Sequence, residues 1–356
     1  MDEAAFLDIV SGRKPGVCAS CLRGGLAVLS VGYGLVIRAR NVAFDLGLRK
    51  THAATVPVIS VGNLTTGGTG KTPVVGFLAN WFHERGLQAT LLSRGYRSLD
   101  GHENDEKLVL DRLCPHTPHV QNPDRVAGAK QAMAEHAAQL ILLDDGFQHR
   151  RLQRDLDIVL VDALNPWGYG RLLPRGLLRE PISGLKRADL VIVTRADQCS
   201  AKEKQSIINR IHQVRGNDEH VEIAFTPQWL VDTTGNTCGF ESLQTSPVTA
   251  FCGIGNPAGF RATLATCGLQ IADQDFHTFP DHHHYTADDL ARLADAAKKQ
   301  GTTALVTTLK DLVKIQKTEL DGLPLWAVQI GVEVLHGCIF LEQCLDDVRQ
   351  SVSKKA

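Results

Sequence analysis

The stretch Pro57–Val75 of this chain reads PVISVGNLTTGGTGKTPVV. Its first part is an apolar run in which β-branched residues dominate, and such runs favour a buried β-strand. The middle part is rich in glycine, which interrupts both strands and helices. The last part can continue as a helix after Gly70-Lys71-Thr72. The stretch therefore predicts a strand, a tight loop and a helix in immediate succession.

A loop of this kind is suited to hold phosphate. Its glycines lack a Cβ atom, so backbone N–H groups can close around phosphate oxygens, and the following helix directs the positive end of its dipole at the same anion. Lys71 would neutralise charge on the β- and γ-phosphates, and the Thr72 hydroxyl would ligate Mg²⁺. We therefore predict that a nucleoside triphosphate binds the loop residues Thr65, Thr66, Gly67, Gly68, Thr69, Gly70, Lys71 and Thr72.

The match to the phosphate-loop pattern departs from the strict form at one position. The strict pattern has its first glycine where this chain has Thr65, whereas the GGTGKT core is intact. The alternative is a glycine-rich turn that carries a Lys-Thr pair by chance. The order of strand, loop and helix favours the phosphate loop.

The composition is that of a globular protein with more than one domain. The 356 residues exceed one ordinary domain, and the formal net charge of −1 gives no indication of nucleic-acid binding. Nine cysteines without framework spacing are typical of a reducing, cytosolic compartment. A Thr-, Gly-, Ser- and Pro-rich segment suggests a division into a phosphate-loop domain over 1–225, a linker over 226–247 and a smaller α/β domain over 248–356.

Short apolar runs alternate with helical patterns along both parts of the chain. In the first part these runs cover 89–93, 139–143, 157–161 and 190–194. The alternation predicts an α/β fold, namely a P-loop NTPase-like doubly wound parallel sheet with a second, smaller α/β domain. Ligands of such sheets gather at the carboxyl ends of the strands, where the polar clusters of this sequence fall.

Acidic residues stand at two of these places. The run Leu140–Leu143 delivers Asp144 and Asp145, as a Walker-B-type strand does to hold Mg²⁺ directly or through water. The alternative is a solvated turn, although adjacent like charges are unfavourable without a cation nearby. A second acidic pair, Asp105-Glu106, lies at the end of a polar segment that we interpret as a surface loop.

Basic residues are the third kind of candidate. Consecutive histidines on an extended segment point to alternate sides, so His282-His283-His284 favours one histidine paired with a carboxylate over a shared metal. The stretch 170–187 carries several arginines, among them Arg179, and is either a solvated face or an anion site. Arg94 and Arg125 are further candidates, because guanidinium groups suit phosphate oxygens.

An apolar segment near the N-terminus, Leu26–Ile37, has cationic residues on both sides. Its twelve residues are too few to span a bilayer of about 30 Å. The segment fits the membrane surface, with basic side chains at anionic headgroups, and equally fits a helix buried against the domain. We expect no cleaved signal peptide.

These motifs together resemble the tetraacyldisaccharide 4′-kinase family, the lipid A 4′-kinases of Gram-negative bacteria. The resemblance spans about residues 26–330 and rests on the stretch quoted first and on LLSRGYR, NPDR, LILLDDGFQHRRLQRDLDIVLVDA, GRLLPRGLLREP, AFCGIGNPAGF and FPDHHHYT. It implies that ATP with Mg²⁺ phosphorylates the 4′-hydroxyl of an acylated glucosamine disaccharide 1-phosphate. It also implies a peripheral enzyme on the cytoplasmic face of the inner membrane, without an obligate protein partner.

The resemblance assigns roles residue by residue. It implies that Asp105 is the general base and that His282 supports it. The remaining implied residues are the phosphate and metal residues Lys71 and Thr72, the metal carboxylates Asp144, Asp145 and Glu106, the active-site arginines Arg94, Arg125 and Arg179, and the substrate contacts Gln148 and Tyr96. The family's usual Pro after the Asp-Glu pair is Lys107 here, and the Glu of its Thr-Glu-Lys-Asp motif is Leu309.

Two alternative functions remain on the sequence alone. A GTPase-like P-loop switch would hydrolyse nucleotide without an acceptor sugar, but such regulators usually carry a lysine early in the loop, where this chain has Thr66. A membrane-bound scaffold with a vestigial nucleotide site would lack part of the acidic and basic set. The completeness of that set favours a kinase.

Overall fold

The computed structural model describes residues 3–95 and 105–355, with side chains over 5–95 and 105–352. Tyr96, predicted to bind substrate, lies outside this part of the chain. The chain separates into two compact units, of which the first is made of Met1–Gly95, His116–Ala224 and Glu333–Ala356 and the second of Tyr96–Pro115 and Phe225–Val332. The domain limits predicted from composition stay a prediction.

The described residues form ten α-helices and thirteen strands. The helices are α1 (Glu3–Ser11), α2 (Val17–Asp45), α3 (Lys71–Glu84), α4 (Asp105–Leu113), α5 (Arg125–His136), α6 (Ala201–Arg215), α7 (Pro257–Thr266), α8 (Ala287–Lys299), α9 (Leu309–Ile315) and α10 (Cys338–Lys355). The strands are β1 (Val58–Asn63), β2 (Ala89–Ser93), β3 (His119–Gln121), β4 (Leu140–Asp144), β5 (Leu156–Asp162), β6 (Leu190–Thr194), β7 (Val221–Val231), β8 (Thr237–Cys238), β9 (Val248–Cys252), β10 (Phe276–Thr278), β11 (Ala304–Thr308), β12 (Glu319–Leu320) and β13 (Leu323–His336).

The sheet of the first unit confirms the α/β prediction. Its strand order is β7-β6-β5-β1-β4-β2-β3, and the pairs formed by β1 with β4 and β5, by β2 with β3 and β4, and by β6 with β5 and β7 are parallel. The central strands are buried along their whole length, as their continuous apolar runs require when helices cover both faces. Because the strands are parallel, their carboxyl ends share one edge. In the register, Val61 of β1 faces Asp144 of β4.

The second unit has a smaller parallel sheet. Strand β9 pairs with β10 and β11, and β11 pairs with β13, all in parallel. Helices α4, α8 and α9 contribute Val109, Leu290 and Leu312 to one buried apolar cluster. Within residues 226–247, where composition suggested a linker, the structure has the end of β7 and the short strand β8.

The N-terminal helix α2 corrects one prediction. It runs over 29 residues, far beyond the twelve of the apolar run, and by length and composition it is sufficient to cross a membrane. The argument that the segment is too short to span a bilayer is therefore wrong, because the polar residues that flank the run continue the helix. Most of its apolar side chains are exposed, including Val28 (73%) and Val36 (67%), so it is not a buried core helix either.

The apolar pattern of the sequence did not predict the bounds of several helices. The acidic pair Asp105-Glu106, predicted to lie in a loop, forms the first turn of α4, where the helix dipole favours carboxylates. Residues 351–355 continue α10 to the end of the described chain. Helix α6, which the sequence analysis did not identify, starts with a capping box between Ser200 and Glu203.

Candidate active site

The glycine-rich loop connects the carboxyl end of β1 to the first turn of α3, as predicted. Gly67 and Gly70 have φ angles of 110° and 84°, which side chains rarely tolerate, so these two glycines are required by the backbone. Thr65 has no positive φ; it is buried and forms a β-bridge with Leu178. The departure from the strict glycine pattern is therefore compatible with the loop.

Neighbouring segments hold this loop in place. The Thr69 hydroxyl accepts a hydrogen bond from Asn63 Nδ2 at 3.0 Å, and the Thr69 carbonyl accepts one from Thr194 Oγ1 at 3.0 Å. The backbone N–H of Thr66 donates to the Leu177 carbonyl at 2.8 Å. Gly67 and Gly68 remain exposed at the tip. A loop that is held at its ends and open at its tip can receive an anion without large rearrangement.

Lys71 and Arg179 converge on Asp145. Lys71 Nζ lies 3.6 Å from Asp145 Oδ1 and 3.4 Å from Asn63 Oδ1, and Arg179 donates from one guanidinium nitrogen to both Asp145 oxygens at 2.8 Å. Burial alone would raise the pKa of Asp145, but the two cations outweigh it and lower the pKa below its ordinary value. Asp145 is therefore a carboxylate at neutral pH, beside two cations that suit phosphate oxygens.

Gln148 connects the cluster of Lys71, Arg179 and Asp145 to the rest of the first unit. Its Nε2 atom donates to the Asn63 carbonyl at 3.0 Å and to Glu180 Oε1 at 2.9 Å, while its Oε1 atom lies 3.5 Å from Arg179. Glu180 is only 1% exposed and also binds Arg187 at 2.7 Å. Gln148, predicted to touch substrate, is thus near the phosphate loop and held by a buried carboxylate.

The predicted metal ligands are oxygen donors at the expected edge of the sheet. Asp144 ends β4 and is 6% exposed, Asp145 follows it, and Thr72 is the second residue of α3. Carboxylate and hydroxyl oxygens are hard ligands of the kind that Mg²⁺ prefers. The part of the chain that the structure describes holds no group of three His, Cys, Asp or Glu residues able to bind a metal by themselves. The oxygen donors of Thr72, Asp144 and Asp145 are of the kind that suits a hard cation such as Mg²⁺.

The other two predicted arginines follow carboxyl strand ends of the same sheet. Arg94 comes directly after β2 and is exposed. Arg125 is the first residue of α5 and is 4% exposed; it donates to the Asn122 carbonyl at 3.1 Å. Glu106, the fourth predicted metal ligand, is in the second unit, as an exposed residue of α4.

The second unit brings Asp105 and His282 together. His282 Nδ1 lies 3.0 Å from Asp105 Oδ2, although the two residues are 177 positions apart. His282 has a left-handed φ of 58°, an uncommon backbone conformation for a residue other than glycine. His283 instead binds Asp289 at 3.1 Å and stacks on Phe279. His282 and His283 thus pair with different carboxylates, whereas the sequence favoured a single pair of a histidine with a carboxylate.

Sequence reasoning missed three residues that contact this machinery. Asn63 binds both Lys71 and Thr69, Glu180 holds Gln148, and Lys314 lies 3.8 Å from Asp105 Oδ2. A polar residue that ends a buried strand, as Asn63 does in VISVGN, is a signal the sequence did contain. Glu180 and Lys314 carry no local signal, because their partners are distant in the chain.

The loop, the Walker-B-type carboxylates and the parallel sheet define a protein of the P-loop NTPase-like class. A model of the family described as tetraacyldisaccharide-1-P 4′-kinase matches residues 22–348. The chain therefore belongs to the tetraacyldisaccharide 4′-kinase family, and it is a kinase. This confirms the family resemblance inferred from the motifs.

Individual relatives agree with the family assignment. A tetraacyldisaccharide 4′-kinase from Halothermothrix orenii is 32% identical over an alignment of 378 positions, and the alignment covers 97% of each chain. Another, from an Anaeromyxobacter species, is 37% identical over 325 residues and covers 86% of each. A crystal structure of LpxK from Aquifex aeolicus in complex with ATP matches with a TM-score of 0.73 and 29% identity, over 92% of this chain and 99% of that one.

His149, which follows Gln148 in the motif DDGFQHRR, makes the free energy of unfolding depend on pH. Burial, followed by the nearby Arg125 and Arg151, lowers the pKa of His149 from 6.5 to about 4. Between these values the unfolded chain binds a proton that the folded protein excludes, so acidification through this window destabilises the fold. After allowance for solvent screening, we expect a loss of about 1–2 kcal/mol.

The variant His149→Gln tests this expectation in urea unfolding followed from pH 7 to pH 4. Its stability should fall less over this range than that of the wild type. His136→Gln, at an exposed position of α5, is the matched control and should keep the wild-type slope. Equal slopes for the wild type and His149→Gln would contradict the assignment.

Proposed function

We propose that this kinase transfers the γ-phosphoryl group of ATP to the 4′-hydroxyl of tetraacyldisaccharide 1-phosphate, a step in lipid A biosynthesis. The family supports the acceptor, and the convergence of Lys71 and Arg179 on Asp145 beside the open glycine loop is the observation that carries the phosphoryl chemistry. An anion that enters there meets backbone N–H groups, two cations and a helix N-terminus.

In the proposed mechanism the first unit binds the triphosphate. Backbone N–H groups of the loop residues 65–72 and the Lys71 ammonium hold the β- and γ-phosphates. Lys71, Arg179, Arg94 and Arg125 stabilise the charge that spreads over the equatorial oxygens of the transferring group. Gln148 and Tyr96 contact the acceptor. Since phosphoryl transfer needs little covalent chemistry from the protein, positioning accounts for most of the rate.

The second unit supplies the base. Asp105 accepts the proton of the 4′-hydroxyl while the hydroxyl oxygen bonds to the γ-phosphorus and the bond from that phosphorus to the bridging oxygen of ADP breaks. His282, at 3.0 Å, keeps the Asp105 carboxylate in one orientation. The proton ends on Asp105 and ADP is the leaving group.

In the first unit, Thr72, Asp144 and Asp145 would hold Mg²⁺. Glu106, the remaining ligand implied by the family resemblance, belongs to the second unit. When bound, the ion would neutralise charge on the β- and γ-phosphate oxygens. Asp145 already lies between two cations, so its carboxylate can exchange one positive partner for another without an uncompensated charge.

The exposed face of α2 supports contact with a membrane surface, and the family resemblance implies that this is the cytoplasmic side of the inner membrane. Val28, Val31, Leu35 and Val36 are each at least 60% exposed. Such an apolar strip, with Arg23 before it and Arg38 after it, suits the boundary between acyl chains and anionic headgroups. An acceptor whose acyl chains stay in the bilayer would then be presented to the enzyme at the surface.

One assay tests the proposed function. The protein is incubated with ATP labelled at the γ-position and with the tetraacylated disaccharide 1-phosphate in mixed micelles. We expect label in the lipid fraction. Label in free phosphate alone would instead identify a nucleotide-hydrolysing switch, and label in neither fraction would identify a scaffold without catalysis.

Charged residues on α2 should weaken membrane binding. The triple variant Val28→Glu, Val31→Glu and Leu35→Glu places three carboxylates on one face of the helix. Each buried apolar side chain contributes about 1.5–3 kcal/mol, so we expect binding to fall at least about 100-fold. The measurement is co-sedimentation with vesicles of phosphatidylethanolamine and phosphatidylglycerol.

The control has the same change in charge at exposed positions of α6, namely Gln205→Glu, Asn209→Glu and Gln213→Glu. It should bind vesicles like the wild type. If the α2 variant binds as well as this control does, the helix is not the membrane contact.

A further inference from the structure

A buried lysine lies beside the proposed base. Lys314 Nζ is 3.8 Å from Asp105 Oδ2, 3.2 Å from Asp311 Oδ1 and 3.1 Å from the His283 carbonyl oxygen, to which it donates. The side chain is 6% exposed and also lies over the Tyr285 ring. The family resemblance gave this residue no role, and the proposed mechanism does not yet use it.

A buried ammonium is costly unless carboxylates surround it. Asp311 is fully buried and supplies the first of these. It also accepts hydrogen bonds from the Gly253 backbone N–H at 3.1 Å and from Thr308 Oγ1 at 2.6 Å. Asp311 is therefore fixed by its own partners and anchors Lys314, which leaves Asp105 as the carboxylate whose position Lys314 can influence.

The helix that carries Lys314 is rigidly placed. Thr308 caps α9, and Leu309, Leu312 and Ile315 pack into the same apolar cluster as Val109 of α4. Leu309 occupies the position of the family's usual Glu and is 8% exposed, so here it adds to this packing. Since the helices that carry Asp105 and Lys314 share one core cluster, the distance between the two side chains is set by packing.

The geometry also distinguishes the two oxygens of Asp105. His282 Nδ1 and Lys314 Nζ, the cationic or donor groups that approach it from the described residues, both lie nearest to Oδ2. Oδ1 then remains for the proton of the acceptor hydroxyl. A carboxylate held at one oxygen presents the other in a fixed direction, which a proton transfer at hydrogen-bond distance requires.

We propose that Lys314, anchored by Asp311, is a positioning residue that together with His282 fixes Asp105 with Oδ1 directed at the acceptor hydroxyl. This rests on the proposed function of Asp105 as base. Lys314 touches neither substrate nor nucleotide in this role and acts only through Asp105.

The test compares kcat and KM for three variants in the lipid phosphorylation assay. Lys314→Met removes the charge, Lys314→Arg keeps it, and the double variant Lys314→Met/Asp311→Asn removes the buried ion pair together, so that no buried carboxylate is left without its cation. A misplaced base can reduce the rate of the chemical step by up to about 100-fold. We therefore expect kcat of Lys314→Met and of the double variant to fall about 10- to 100-fold. KM for ATP should stay within about twofold of the wild type. Lys314→Arg should recover part of the loss.

Lys317→Met, which replaces an exposed lysine just beyond α9, is the matched control and should keep the wild-type kcat. Circular dichroism and thermal unfolding identify any variant that fails to fold. Wild-type kcat in the folded double variant would overturn the proposal, and so would equal losses in kcat and in ATP affinity.

A double-mutant cycle separates positioning from a general structural effect. If Lys314 acts only through Asp105, Lys314→Met should change the residual turnover of an Asp105→Ala protein less than about twofold. A full 10- to 100-fold further loss in that background would contradict the proposal. Absence of lipid labelling by the wild type would refute the proposed function itself, whereas wild-type labelling with unaffected Lys314 variants refutes only the role of Lys314.

Discussion

Replacing Asp105 by Ala should reduce turnover by about 10²–10⁴-fold, the range expected when a general base is removed. The acceptor hydroxyl then loses the group that takes its proton as the new bond to phosphorus forms. ATP binding should change little, because Asp105 belongs to a different unit from the phosphate loop. The measurement is kcat under saturating ATP and lipid acceptor, with KM for ATP measured beside it.

The fold should survive this substitution. Asp105 is the first residue of α4, and alanine is a good helix former. Asp111→Ala is the matched control on the same helix. Asp111 forms an ion pair with Lys107 at 2.5 Å and has no role in the proposed mechanism. Unchanged turnover in a folded Asp105→Ala protein would remove Asp105 from the role of base.

Replacing Lys71 by Ala should reduce kcat by about 10²–10³-fold or more, the effect of removing one preorganised group that stabilises transition-state charge. Lys71 is the cation at the N-terminus of α3 and lies beside Asp145. Without it, charge on the transferring phosphoryl group loses its nearest lysine, and the other groups of the site do not replace that cation at the loop. The same variant should also bind ATP more weakly, which equilibrium binding measures independently.

Lys71→Ala should remain folded because Asp145 keeps its two contacts with Arg179. Lys71→Arg separates the effect of charge from that of shape, since a planar guanidinium keeps the charge but not the compact shape of an ammonium. Lys202→Ala, at an exposed position of α6, controls for the loss of one positive charge. Full activity of Lys71→Ala would refute the phosphate-loop assignment.

The inner strands of the first sheet followed from the sequence to within one or two residues, whereas the edge strands β3 and β7 were not predicted. Ala89–Ser93 and Leu190–Thr194 were predicted with the bounds that the structure has. Buried parallel strands are short, continuously apolar and bounded by turn residues, so their signal is local. The helices α6, α9 and α10 were not predicted. Helices α6 and α9 begin at the capping residues Ser200 and Thr308, and one capping residue is a weaker signal than an apolar period.

The length of α2 was misjudged for a related reason. The apolar run covers only part of the helix, and the polar residues that complete it gave no period of their own. On the side of the helix that packs against the rest of the first unit, Ser30 and Tyr33 donate hydrogen bonds to the carbonyls of Leu172 and Arg179, both at distant positions in the chain. A pattern of apolar residues cannot show such partners.

What the sequence determined by itself is the phosphate loop and the carboxylates at the end of β4. Both are contiguous motifs whose chemistry depends on a few adjacent residues, so composition and spacing carry the information. What only the tertiary structure decided is how Asp105 meets His282 and Lys314, and which cations hold Asp145. Those contacts join residues that are far apart in the chain, with separations of 34 positions for Arg179–Asp145 and 177 for His282–Asp105. Packing of helices and strands brings such residues together, and no local pattern encodes that distance.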